Sequence, residues 1–210
     1  MNWFLDMNII VYYSLEMDHS LEKKARIFVK NKGHSKFILC EYIQKDNLPK
    51  WLKRQEEILR RFNLNISGQQ IEESKVYLFG KDKIFLNRLI LMYENSKDKN
   101  KFKINLNKIF NFLRIKIKLF LEKYIDKFVI PIKDIDPELQ SSLNTYLQNI
   151  SDAKTIASGI QEHQENKLIL ITADKKDWNK ENLEWSIPPT SNLEKNYPSL
   201  PKIEYLQNFN

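Results

Sequence analysis

The stretch Leu168-Ile169-Leu170-Ile171-Thr172-Ala173-Asp174 decides the fold. Its five leading residues carry no charge and do not alternate apolar with polar, so they read as a strand buried on both faces. A carboxylate follows almost at once. Working outward, three more runs have the same character: Asn2-Trp3-Phe4-Leu5, Phe37-Ile38-Leu39-Cys40 and Phe128-Val129-Ile130. Ile9-Ile10-Val11 is a candidate continuation of the first after a turn. Helical patterns lie between them. Ser20 is a candidate cap for a helix with Leu21, Ala25 and Phe28 on one face and Gly33 as its stop. Leu48, Leu52, Leu59 and Phe62 form a second stripe, and Asp136-Pro137 marks another helix start. From there Leu139, Leu143, Tyr146 and Ile150 predict a face that Ala153, Ala157 and Ile160 continue. Strands separated by helices predict an α/β fold, a parallel sheet flanked by helices. Residues 185–201 hold four of the seven prolines and read as extended loop, with Ile203 to Leu206 as an edge strand.

The gap between the second and third strands is too long for one crossover. Residues 64–126 predict a helical insertion within a single 1–210 domain: Leu106, Ile109, Phe110, Leu113, Ile117, Phe120, Leu121 and Tyr124 keep three-to-four spacing. Ile115 to Leu119 also alternates locally, which leaves a strand there open. From Lys81 to Lys127 there are 13 Lys and Arg against 5 Asp and Glu, a net +8 in a chain whose total is +7. That is either a solvated helix surface or an electrostatic footprint for a polyanion. Lys97, Lys99, Lys101 and Lys103 lie in a stretch that reads as a loop and are candidate nucleic-acid contacts. With 28 Lys and 6 Arg, phosphate point contacts are favoured over bidentate reading of bases.

Composition excludes several classes. Four scattered glycines supply neither a P-loop nor a dinucleotide fingerprint. A single cysteine, Cys40, excludes an intramolecular disulfide framework and a cysteine zinc site. No apolar run is long enough to span a membrane, and no basic leader precedes the first strand, so a soluble cytoplasmic protein is the expectation.

In an open α/β sheet the ligand site lies beyond the C-terminal ends of the strands. Here Asp6 ends the first strand, Glu41 follows the second, and Asp174 follows the fourth with Asp177 three residues on. Asp152, in Ser151-Asp152-Ala153, sits where one helix stops and the next begins. Each acid alone has an ordinary role in a turn or cap. Together they repel unless a cation is present. A hard divalent ion such as Mg²⁺ or Mn²⁺ takes carboxylate and water oxygens, polarises a phosphoryl oxygen and lowers the pKa of a bound water.

These residues resemble a known family. Leu5-Asp6-Met7-Asn8-Ile9-Ile10-Val11 resembles the opening motif of PIN-domain proteins. Ser151 to Ala157 resembles their acidic helix start, and Leu168 to Trp178 their strand end. The resemblance implies a Mg²⁺- or Mn²⁺-dependent endoribonuclease with Asp6, Glu41, Asp152 and Asp174 as catalytic metal ligands. Asn8 and Thr172 would support them by hydrogen bonding, with Asp177 as an extra acid. Many relatives are toxins that dimerise and are inhibited by a cognate antitoxin. Met7, where threonine is commoner, and the 64–126 insertion depart from that pattern. Two rivals stand beside this reading. One is a catalytically silent PIN-like RNA-binding or scaffold protein. The other is an aspartyl-phosphate phosphatase, which wants a second Asp where this chain has Asn8.

Overall fold

The computed structural model describes residues 2–15, 17, 19–32, 36–70 and 75–209. The chain forms two compact units, Met1–Asn47 with Ile117–Asn210, and Leu48–Lys116.

The first unit is built on five parallel strands: β1 (Asn2–Leu5), β2 (Lys36–Cys40), β3 (Ile125–Val129), β4 (Leu168–Thr172) and β5 (Lys202–Tyr205), in the order β3-β2-β1-β4-β5. All-parallel pairing needs crossover connections, and the helices that make them cover both faces. Trp3 packs edge-on against Phe28 of α2 (Ser20–Lys32), with ring centroids 5.3 Å apart, and Phe28 lies 5.6 Å from Phe37. The next residue, Phe4, points the other way. It meets α7 (Ile150–Glu165), whose Ala153, Ile156, Ala157 and Ile160 are all buried. At Gly159 the approach is so close that a Cβ would stand 2.8 Å from Leu170 Cδ2 and 3.4 Å from the Phe4 ring.

The remaining helices of this unit are α1 (Met7–Ser14), α6 (Pro137–Tyr146), α8 (Lys180–Trp185) and α9 (Asn192–Asn196). The second unit holds α3 (Leu48–Ile66), α4 (Gly80–Glu94) and most of α5 (Lys99–Tyr124). Phe62 packs 5.7 Å from Tyr93 and 6.2 Å from Phe102, and Arg54 pairs with Asp82 at 3.3 Å. Along α5, Leu106, Phe110, Leu113, Ile117 and Phe120 recur at helical spacing and are all buried.

Several expectations are corrected. Ile9-Ile10-Val11 lies in α1, because Asp6 ends β1 and the chain turns directly into a helix. Ser20 is already helical; the His19 imidazole accepts from the Leu21 N–H at 3.2 Å in the capping role. Gly33, expected as the stop of this helix, lies outside the described residues. The alternation at Ile115–Leu119 is overruled by the α5 stripe. The third strand begins at Ile125, and as an edge strand it leaves Phe128 40% exposed rather than buried. Tyr146 and Ile150 are exposed because α6 ends at Tyr146 and Asn149 caps a new helix, its side chain accepting from Ser151 N–H at 3.1 Å. Lys99, Lys101 and Lys103 are helical rather than in a loop, since Asp98 accepts from Lys101 N–H at 2.9 Å and starts α5 there; Lys97 precedes the helix. The proline-rich tail is interrupted by α9, capped by Ser191.

The close approach at Gly159 gives a direct test. Gly159→Val fills a contact that is already tight, so overpacking of about 1–3 kcal/mol outweighs any gain in helix propensity. Urea denaturation should show a lower midpoint with an unchanged slope.

Candidate metal centre

The site grows from the C-terminal edge of the sheet. β1 ends at Leu5, and the Asp6 N–H still donates to Ile171 O at 3.0 Å, tying the acid to the end of β4. Asp6 is buried, as is Thr172, the last residue of β4. The Thr172 hydroxyl donates to Asp6 Oδ2 at 2.7 Å and accepts the Asp174 N–H at 2.9 Å. Asn8, in the first turn of α1, donates its amide to Asp6, and its Oδ1 accepts the Ala173 N–H at 3.1 Å. Asp174 then makes a turn of its own, accepting from Lys176 N–H at 2.8 Å and Asp177 N–H at 3.3 Å. Asn149 takes the cap of α7, and Asp152 stands in its first turn, where the Trp178 and Asn149 side chains hydrogen-bond its carboxylate.

The carboxylates of Asp152, Asp174 and Asp177 offer ligand oxygens within 4.8 Å of one another. Asp177 is buried, Asp152 largely buried and Asp174 half-buried. Burial and then the Asp152 charge push the Asp6 carboxyl up to about 8, with Asp174 adding to the rise and the Thr172 hydrogen bond opposing it. Burial, with the neighbouring charges of Asp174 and Asp177, raises Asp152 to about 6. Asp6 therefore belongs electrostatically with the three acids, although it lies outside the tightest group. Such a set carries its full charge only beside a cation, and an all-oxygen donor set suits a hard divalent ion. The residues fit the metal expected from the sequence.

Glu41 is placed differently. It opens the helical segment after β2, leading into a π-helical turn (Ile43–Asn47) that runs on into α3. Its carboxylate takes an ion pair from Lys45 and accepts the Ile132 N–H at 2.9 Å, and these two partners hold it below the usual carboxylate range. Ile132 is presented by a turn in which Ile130 has φ 49, a left-handed conformation that costs a β-branched residue energy. Sequence reading put Asp177 in a supporting position, whereas geometry makes it one of the three closest acids. Its spacing, three residues after Asp174 in a turn, was the available signal. Trp178 entered the sequence reading only as the end of a motif, with no role of its own. It is fully buried beside Asp152, and its indole N–H favours the charged form of that carboxylate.

No known family model, curated protein or solved structure matches this chain. Among the described residues, no helix is long and apolar enough to cross a membrane.

The raised Asp6 value sets a pH dependence for the metal-free protein. The folded state binds this proton more tightly than the unfolded chain, so the contribution to stability is complete below about pH 4 and is lost as pH rises through about 8. The groups acting on Asp6 are Asp152, Asp174, Thr172 and Asn8. Asp6→Asn removes this loss. Urea midpoints measured with chelator should show the variant gaining on the parent protein between pH 4 and 8, and parallel curves would contradict the shift.

Proposed function

We propose that the chain is a PIN-like, Mg²⁺- or Mn²⁺-dependent endoribonuclease. The observation that carries the reading is the meeting of Asp152, Asp174 and Asp177 within 4.8 Å. They come from the start of α7 and the turn after β4, where an open parallel sheet places its ligand site. Two of the three motifs that resemble PIN-domain proteins, Ser151 to Ala157 and Leu168 to Trp178, fall on these same elements.

In this reading Asp152, Asp174 and Asp177 hold the ion, with Asp6 beside them. An ion held by these acids would supply Lewis-acid polarisation of a phosphoryl oxygen and a more acidic bound water. The chain's own residues do the positioning. Thr172 and Asn8 fix the Asp6 carboxylate, and Thr172 also fixes the Asp174 backbone, so two strand ends present their acids together. Lys97, Lys99, Lys101 and Lys103 supply long-range attraction for RNA. The commitment of Glu41 to Lys45 and Ile132 favours a second reading, a PIN-like protein that binds RNA without cutting it.

Cleavage separates the two. Purified protein should cut RNA with Mg²⁺ or Mn²⁺ and stop with chelator. Asp6→Asn and Asp174→Asn should each lower turnover by orders of magnitude while leaving RNA binding intact. RNA binding without cleavage in any divalent ion selects the second reading. Equal cleavage with and without chelator removes the metal mechanism. Changing the four lysines to Gln should flatten the salt dependence of binding by up to about 0.7 log units per lost single-strand phosphate contact.

A further inference from the structure

An acid cluster repels the polyanion it would act on, so a nuclease site needs positive charge within reach of its acids. Two lysines at the C-terminal edge of the sheet have a distinctive setting. Lys154 follows Asp152 by two residues in α7, and its ammonium sits 4.9 Å from the centre of the Tyr42 ring. Lys175 follows Asp174 directly, and its ammonium sits 5.3 Å from the centre of the Tyr205 ring. Among the described residues neither ammonium forms an ion pair, unlike Lys45 with Glu41, Lys180 with Glu184 and Lys202 with Glu204. An aromatic face holds a lysine by its quadrupole without neutralising it. The charge is therefore positioned and still available.

Topology places these pairs on either side of the acids. Tyr42 follows β2, Asp6 and Asp174 follow the neighbouring β1 and β4, and Tyr205 ends β5, opposite Thr172 in register. From β2 to β5 is three strand spacings, about 14 Å. One nucleic-acid strand lying along this edge would bring one phosphate to the acids and its neighbours to the two lysines. We infer that Lys154 and Lys175, held by Tyr42 and Tyr205, are the phosphate contacts that flank the cleaved bond. The inference rests on the nuclease reading of the centre and names the part of the chain that seats the substrate.

The test measures binding of a labelled single-stranded oligoribonucleotide by anisotropy across a salt series. Ca²⁺ is added in the assay because its looser coordination should place an attacking water poorly and so limit cleavage of the probe. Lys154→Gln with Lys175→Gln should weaken binding and reduce the slope of log K against log salt by about 1.4, the value for two lost single-strand contacts. Lys154→Arg with Lys175→Arg should keep the parental slope, which distinguishes lost charge from lost packing. If the parent binds RNA and the Gln pair leaves its slope unchanged, the inference is overturned and the nuclease reading survives. If the parent binds no RNA in Ca²⁺, Mg²⁺ or Mn²⁺, both are overturned.

Discussion

The hydroxyl of Thr172 is the point on which the site depends. It donates to Asp6 and accepts from the Asp174 backbone, so one side chain joins the end of β1 to the turn after β4. Its position is in turn a product of register, since Leu5 pairs with Ile171 and the Asp6 N–H closes the last hydrogen bond of that ladder. A slip of one residue between these strands would turn every side chain to the other face and send the two acids apart. Phe4, Leu5, Leu170 and Ile171 are all fully buried, so both faces of these two strands are packed at this register.

The hydrophobic interior and the acidic edge pull in opposite directions. Burying apolar side chains at roughly 25 cal/mol per Å² drives the sheet and helices together. The same burial strips water from Asp6 and Asp152 and penalises their charge, which is the first cause of both raised values. Hydrogen bonds from Thr172 and Asn8 recover part of that cost for Asp6. The molecule thus stores electrostatic tension at one edge, and a divalent cation is the chemical species that would relieve it.

Much of this was legible in the sequence, for identifiable reasons. β4 was readable to its last residue because a doubly buried parallel strand is written as an unbroken apolar run, and the start of α6 because Asp136-Pro137 is a strong local signal whose side chain does accept from Glu138 and Leu139 N–H. The edge strands were harder. β3 is half-exposed and follows α5 without a break, so neither apolar density nor a turn marks its beginning. At the strand ends, Asp6, Asp152 and Asp174 were singled out by their place after strands or at a helix start. The direction in which Glu41 turns depends on Lys45 and on Ile132, ninety-one residues away in the chain, and no local pattern carries that. The meeting of Trp178 with Asp152, twenty-six residues apart in the chain, is likewise carried by no local pattern.

Asp152 and Gly159 lie seven residues apart on α7, two helical turns along the same face. The height of Asp152 above the strand-end acids is therefore set by how closely the helix can lie on Phe4 and Leu170, and that distance is fixed by the absence of a side chain. A methyl group at this point would act like a shim under one end of a beam, lifting an acid roughly 10 Å away by part of an ångström. Metal coordination discriminates on that scale. A substitution at a position touching none of the acids would in this way be felt as a change in how Asp152 meets Asp174 and Asp177.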